Sequence, residues 1–206
     1  MGLLREIRET TTELPALEML RYLVTERFPG ECVVTASLKS PSVVVLKMIS
    51  DIDPATPVIF CHPRKVFPAS EDYRAEIVRQ LGLTNVQSIT GSDPFGGKHE
   101  HQFYERLWNE PPEGGRSSET IHLNEVLEPY RCWIKAAYHQ RPNATARQRI
   151  DVYGGKVIVD VLRRRPTEAV DQFMQDHGLP YHPRVRHLKQ QVRVAPTAGK
   201  EVGWYF

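Results

Sequence analysis

The first 90 residues alternate between short apolar runs and longer amphipathic stretches. Apolar runs bounded by turn residues predict β-strands at 32–37, 57–61 and 86–90. The stretches around them predict helices at 15–27, 43–50 and 70–83. The second of these helices is rich in β-branched residues, so its prediction rests on the strand–helix–strand rhythm and on Pro41 just before it. This order predicts a parallel sheet covered by helices, which is an α/β fold.

The second half of the chain has a less regular pattern. Turn residues dominate 91–120, which we interpret as a long loop or insertion with a short helix around 99–108. The pattern beyond it predicts a helix at about 122–138, a basic loop at 139–149, two strands within 150–162, a helix at 166–177 and an irregular tail over 180–206. With 206 residues, the chain is predicted to form a single domain.

Composition narrows the class of protein. The chain is 40% hydrophobic and 25% charged, which suits a packed core rather than a disordered chain. No apolar run approaches the roughly 20 residues that cross a bilayer, and the N-terminus lacks the apolar region and cleavage site of a signal peptide. We therefore expect a cytoplasmic protein with no membrane partner.

The sequence lacks the residue patterns of most common metal-binding and catalytic sites. Cys32, Cys61 and Cys132 are unevenly spaced, which argues against a disulfide framework, a four-cysteine zinc site and an iron–sulfur cluster held by this chain alone. His99 and His101 lie in a polar loop, where such a pair is usually solvent-exposed, so no metal site is expected. The sequence has no dinucleotide-binding, serine-hydrolase or Walker motif, so those enzyme classes have no support.

Charge is unevenly distributed about a net value of +2. Residues 1–130 carry 13 Lys and Arg against 19 Asp and Glu, whereas residues 131–165 carry nine against two. A basic block in an otherwise acidic chain suggests an anionic partner, either a small phosphorylated ligand or nucleic acid. A solvated basic face without a partner is the alternative.

The predicted topology indicates where a ligand would bind. Parallel sheets bind ligands beyond the carboxyl ends of their strands, where the chain turns into the next helix. Residues 37–42 follow the first predicted strand, and residues 61–70 begin at the end of the second. These two stretches are therefore the candidate binding loops.

Four ordered segments carry a resemblance to a known family. They are TASLKSPSVVVLKMI at 35–49, PVIFCHPRKVFPASEDYRAEI at 57–77, Arg131-Cys132, and VDVLRRRPTEAVDQFMQDHGLPYHP at 159–183. Together they resemble the phosphoadenylyl-sulfate (PAPS) reductase family of the PP-loop, or adenine nucleotide α-hydrolase-like, group. The resemblance implies a Rossmann-like three-layer sandwich with a mostly parallel central sheet, and an adenine nucleotide at the carboxyl ends of its strands.

The serine-rich phosphate loop of that family corresponds to residues 37–42 here. Ser37 and Ser42 match its serines, but both glycine positions are filled and Pro41 has no N–H to donate. Lys39 can supply a positive charge, and the following helix supplies the partial positive charge of its N-terminus. The segment is thus either a remodelled anion-binding loop or one that has stopped binding anions.

Other positions of the family motifs point to further ligand-binding residues. After the second strand, His62, Pro63 and Arg64 replace an Asp-Thr-Gly motif. Arg64 and Lys65 are expected to recognise phosphate or sulfate, with a surface turn as the alternative. The remaining positions that the resemblance assigns to the nucleotide site are Phe67, Arg141, Arg147, Arg149 and His182.

The reductases of the family carry a catalytic cysteine in a C-terminal motif, and its thiolate attacks the sulfate sulfur. No cysteine follows Trp204-Tyr205, which match the residues just before that motif, so standard thiol-based turnover is not expected. Cys61 and Cys132 remain the candidates for a catalytic thiol. Cys132 corresponds to one of the paired cysteines of the cluster-bearing branch, but its neighbour here is Trp133, so no iron–sulfur cluster is expected.

The resemblance therefore implies an oxidoreductase-like protein of sulfur metabolism that binds an adenine nucleotide. The expected ligands are PAPS, adenosine 5′-phosphosulfate (APS) and adenosine 3′,5′-bisphosphate, with no tightly bound cofactor and no metal. A thioredoxin-like donor is expected only if reductase activity survives, and homo-oligomerisation stays open. Two other functions remain: an AMP-forming PP-loop enzyme, and a nucleic-acid-associated module that uses the 131–165 block.

Overall fold

The computed structural model describes residues 2–62, 68–90, 123, 125–136, 149–162 and 166–183. Its strands are β1 (Cys32–Ala36), β2 (Val58–His62), β3 (Val86–Thr90), β4 (Cys132–Lys135), β5 (Ile150–Tyr153) and β6 (Lys156–Val159). Its helices are α1 (Gly2–Thr11), α2 (Ala16–Arg21), α3 (Ser40–Ile52), α4 (Pro68–Leu81) and α5 (Thr167–Asp176). A π-helical turn, Tyr22–Arg27, continues α2 to the end that the sequence predicts.

The six strands form one sheet in the order β3-β2-β1-β4-β6-β5. Four of the strand pairs are parallel, and only β5 runs antiparallel to its neighbour β6. This arrangement confirms the predicted α/β fold with a mostly parallel sheet. Strands β2 and β3 extend the sheet on one side of β1, whereas β4, β6 and β5 extend it on the other. The chain direction across the sheet therefore reverses between β1 and β4, which is the switch point where such folds form a crevice.

Both faces of the sheet are packed against other parts of the chain. Val34, Phe60 and Ile134 lie on the face that the described helices cover, in one apolar core. Trp133 and Ile59 lie on the opposite face, in a second core to which Leu123, Val126 and Leu127 contribute. Because every residue of β1 is buried, this central strand reads as the continuous apolar run that parallel sheets require.

Helix α3 shows why a run of β-branched residues can be helical. Pro41 stands in its first turn, where a missing N–H costs nothing. The residues Val43, Val44 and Val45 are all buried, because α3 packs against the sheet and also contacts α2, α4 and α5. Burial on several sides outweighs the small helical disadvantage of valine, so the predicted helix is confirmed.

The predicted helix at about 122–138 is wrong over its second half. Residues 125–127 are helical, but residues 132–135 form β4, a central strand of the sheet. Pro129 interrupts the helical pattern, and Cys132, Trp133 and Ile134 are buried between the two cores. Helix α1, which packs against β5, is missing from the sequence prediction.

The other predicted elements have the following outcomes. The strands at 32–37, 57–61 and 86–90 and the helices at 70–83 and 166–177 are confirmed within two residues at each end. Strands β5 and β6 flank Gly154 and Gly155, whose φ angles of 55° and 78° only glycine adopts readily. The segments 91–120, 137–148 and 184–206 lie outside the described residues. Among the helices described, none has the length and apolar character needed to cross a membrane.

Candidate functional site

Two chain segments meet at the carboxyl edge of the sheet, at the switch point. Residues 37–42 lead from β1 into α3, and Ala136 follows the last residue of β4. The backbone of Ala136 still belongs to the sheet, because its N–H donates to the Thr35 carbonyl at 3.0 Å. The turn at 37–42 and the end of β4 are therefore neighbours, as the topology requires.

The two serines of this turn are buried and bonded to each other. Their hydroxyl oxygens lie 2.9 Å apart, and the Ser37 N–H donates to Ser42 Oγ at 3.1 Å. The Ser42 hydroxyl donates in turn to the Ala136 carbonyl. Ser42 is fully buried and Ser37 nearly so. The structure thus brings the two predicted serines together and ties them to β4.

The start of α3 lies at the same edge of the sheet and carries backbone N–H groups without an acceptor among the described residues. No side chain caps the helix, which begins after Lys39. Within the described part of the chain, the backbone N–H groups of Leu38 and Ser40 have no hydrogen-bond acceptor. The Lys39 N–H donates to Ser37 Oγ at 3.4 Å. Two open N–H groups beside a lysine, at the positive end of a 13-residue helix, are suited to an anion.

The second candidate loop is placed only in part. Arg64, Lys65 and Phe67 lie outside the described residues, and His62 is described only as the last residue of β2. Helix α4 begins directly after this loop, and its Ser70 Oγ lies 2.9 Å from His182 Nε2. The predicted site residue His182 is therefore held against the first turn of α4, at the same edge of the sheet.

The basic block does not form one cationic surface in the described residues. Arg149 donates to the carbonyls of Thr11 and Thr12 at 2.6 and 3.0 Å, at the end of α1. Arg131 pairs with Glu31 at 3.1 Å and its guanidinium lies over the Phe28 ring. Those two cations therefore make structural contacts on different elements. Arg141 and Arg147 lie outside the described residues, so their predicted roles stay predictions.

The structure places one further cation near the switch point that the sequence analysis did not select. Lys135 is the last residue of β4, is half-buried, and stands opposite Thr35 of β1. Its Nζ lies 4.5 Å from the centre of the Trp133 ring, whose Nε1–H donates to Thr35 Oγ1 at 2.6 Å. The apolar run before Lys135 could have indicated a strand that ends at this lysine. We interpreted that run as part of the predicted helix at about 122–138 instead.

The cysteine thiols are not placed as nucleophiles. Cys61 is fully buried in the second core, and burial raises its thiol pKa to about 12. Cys132 stands opposite Cys32 in the sheet; a hydrogen bond to Cys32 and then burial raise the pKa of its thiol well above the usual range. Because the reactive form of cysteine is the thiolate, both candidates are protonated, inaccessible groups at neutral pH.

Comparison with known proteins places the chain at a distance from a family of sulfonucleotide reductases. It is 28% identical over 184 residues to the adenosine 5′-phosphosulfate reductase of Mesorhizobium japonicum, covering 84% of this chain and 68% of that protein. It is 24% identical over 189 residues to the phosphoadenosine 5′-phosphosulfate reductase of Alkalilimnicola ehrlichii, covering 88% and 76%. No protein-family model matches the chain.

A solved structure supports the same relationship at the level of the fold. The phosphoadenylyl-sulfate reductase of Candida auris, solved as a phosphate complex, superposes with a TM-score of 0.64 at 17% sequence identity. The superposition covers 89% of this chain and 90% of that one. The chain is thus a distant relative of the APS and PAPS reductases and has their fold.

Proposed function

We propose, from this distant relationship, that the protein binds an adenine nucleotide carrying phosphate or sulfate groups at the switch point between β1 and β4. The observation that carries the proposal is the pair of N–H groups on Leu38 and Ser40, beside Lys39, which have no acceptor among the described residues. They stand at the edge of the sheet where folds of this class bind their ligands. In this proposal, the N–H groups at the start of α3 and Lys39 supply the anion contacts that the family's glycine-rich loop would make.

The physical reason is that an anion needs donors and positive potential rather than glycine itself. Glycine allows a backbone loop to curl round a phosphate, and this turn lacks that freedom. The helix N-terminus and the lysine charge together offset the cost of desolvating a phosphate or sulfate oxygen. The contact of His182 with Ser70 in the first turn of α4 supports a ligand that extends along the same edge.

The proposed activity is binding, without standard thiol-based reduction. The sequence contains three cysteines, and all three are buried in the sheet. Attack on the sulfur of a sulfonucleotide requires an exposed thiolate of low pKa. Burial acts in the opposite direction on Cys61 and Cys132, so neither is set up for this step.

Calorimetry with a panel of nucleotides tests the binding proposal. We expect PAPS, APS or adenosine 3′,5′-bisphosphate to bind, and AMP, which has a single phosphate, to bind more weakly. The absence of heat with every sulfated or phosphorylated adenosine would refute the proposal. Tighter binding of ATP than of these nucleotides, together with release of pyrophosphate, would favour the AMP-forming alternative instead.

A sulfite-release assay with thioredoxin and dithiothreitol tests the proposed absence of thiol-based reduction. We expect no sulfite above the level without protein. If sulfite is released, the Cys61→Ser, Cys132→Ser double variant decides whether either thiol is responsible. Release that survives in the double variant would exclude both residues, and release that is lost would overturn our account of the buried thiols.

A further inference from the structure

The hydrogen bonds of Ser42 occupy every bonding position of its hydroxyl. A serine hydroxyl has one proton to donate and two lone pairs that accept. The proton is directed to the Ala136 carbonyl, and one lone pair accepts the Ser37 N–H. The contact between the two hydroxyls must then be donated by Ser37, which fills the second lone pair. Ser42 therefore has no bond left for a ligand.

The same bonds continue the pattern of the β1–β4 ladder. In a parallel pair, one strand alternately accepts from and donates to its neighbour. The Glu31 carbonyl accepts from Cys132 at 3.1 Å, and the Thr35 carbonyl accepts from Ala136 at 3.0 Å. By this alternation the next bond would join the Ser37 N–H to the Ala136 carbonyl. The structure instead directs the Ser37 N–H to Ser42 Oγ, and the Ser42 hydroxyl to Ala136.

We propose that Ser42 is a positioning residue that ends the pairing of β1 and β4 by inserting its hydroxyl into their last hydrogen bond. The inserted oxygen holds the two strand ends apart and keeps each backbone group bonded. The turn after β1 is thereby fixed, with the Leu38 and Ser40 N–H groups open beside Lys39. The anion binds to those N–H groups and makes no contact with Ser42. This inference rests on the proposed function.

The inference changes the role that the sequence pattern suggests for Ser42. As a direct ligand, Ser42 would have to give up Ala136 or Ser37 when the anion binds, leaving a buried backbone group unpaired. Such a loss would weaken binding by roughly five- to a hundredfold. As a positioning residue it keeps the same three partners with and without ligand. The two roles therefore differ in what happens to the Ser37 N–H on binding.

Amide NMR of the wild-type protein, titrated with adenosine 3′,5′-bisphosphate, separates the two roles. We expect the Leu38 and Ser40 amide protons to shift strongly downfield at saturation and the Ser37 amide proton to stay in place. A Ser37 shift as large as that of Ser40 would overturn the inference. If the wild-type protein binds no adenine nucleotide at all, the proposed function fails as well.

Two alanine variants add a test by affinity. Ser42→Ala removes the inserted hydroxyl, so we expect binding of adenosine 3′,5′-bisphosphate to weaken at least about tenfold, as for the loss of a buried hydrogen-bonding group. The ligand-free Ser37 amide proton should also move in this variant. The matched control is Ser50→Ala in the same helix, because the Ser50 hydroxyl donates within that helix, to the Lys47 carbonyl at 2.8 Å. Wild-type affinity in Ser42→Ala would contradict the inference and leave the proposed function standing.

Discussion

Ser70 in the first turn of α4 and His182 in the segment after α5 are joined by a 2.9 Å contact between Oγ and Nε2. The His182 ring meets the Tyr73 ring edge-on, with centroids 5.0 Å apart. Tyr73 in turn donates its hydroxyl to the Pro180 carbonyl at 2.7 Å. These contacts fasten the HGLPYHP motif, residues 177–183, to the start of α4, so residues distant in sequence meet beside the loop after β2.

We expect the Ser70–His182 bond to contribute about 1 kcal/mol to the free energy of unfolding, the usual net value of a buried hydrogen bond. Ser70→Ala, His182→Phe and the double variant form a double-mutant cycle that isolates this contribution. Urea denaturation of the four proteins measures it. Strict additivity of the two single changes would show that the contact contributes nothing to stability.

Arg149 is expected to act on stability through the end of α1. Its guanidinium donates to the Thr11 and Thr12 carbonyls, at a helix end where carbonyl groups lack intrahelical donors. Arg149→Gln should therefore lower the free energy of unfolding by about 1–2 kcal/mol. Thermal unfolding checks this expectation. A stable variant with a tenfold loss of nucleotide affinity would instead support the role that the family resemblance implies.

Lys39 is expected to contribute charge to the proposed nucleotide site. We expect Lys39→Gln to weaken binding of adenosine 3′,5′-bisphosphate roughly tenfold, a value typical of one hydrogen bond to a charged group. The matched control is Lys47→Gln, since Lys47 lies within α3, two turns beyond the helix start, and pairs with Asp51. Calorimetry at low and at high salt should show a smaller salt dependence for Lys39→Gln than for the control. Equal losses in both variants would contradict a specific role.

The buried thiols should resist modification in the folded protein. Because all three cysteines are buried, iodoacetamide at neutral pH should label them only after denaturation. Mass spectrometry of native and denatured samples measures the labelled fraction. Rapid labelling of Cys61 or Cys132 in the native protein would show that the thiol is accessible, and it would reopen the question of thiol chemistry.

The raised pKa of the Cys61 thiol predicts how the stability of the protein changes at alkaline pH. Its pKa is about 12 in the folded protein and near 9.0 when exposed, so between these values the unfolded chain binds fewer protons than the folded one. The contribution of the buried Cys61 thiol to the free energy of unfolding is therefore fully present below pH 9. It is lost as the pH rises above 9, by up to about 1.4 kcal/mol per pH unit.

A Cys61→Ala variant isolates this effect, because it lacks the titrating group and otherwise shares the alkaline behaviour of the protein. We expect the stability advantage of the wild type over Cys61→Ala to shrink between pH 9 and pH 10.5. Urea denaturation at several pH values measures the difference. A constant difference across that range would show that the Cys61 thiol ionises at the same pH in both states.

Local sequence patterns were enough to predict most of the α/β architecture. The apolar runs before Ser37 and His62, and the amphipathic stretches between them, leave only a parallel sheet as a way to bury both. They also placed a candidate loop at residues 37–42. The sequence prediction missed strand β4 because its four residues continue an apolar pattern that is compatible with a helix. Only their position between β1 and β6 makes these residues a strand.

The sequence by itself determined which residue types stand at the ends of the strands, because strand ends follow from apolar periodicity and turn residues. Only the tertiary structure decided what those residues do. Ser42 is committed to Ala136, 94 positions away, and Arg149 to the end of α1. No local pattern encodes such partners, since a hydroxyl or guanidinium bonds to whatever group the packing of distant elements brings within about 3 Å.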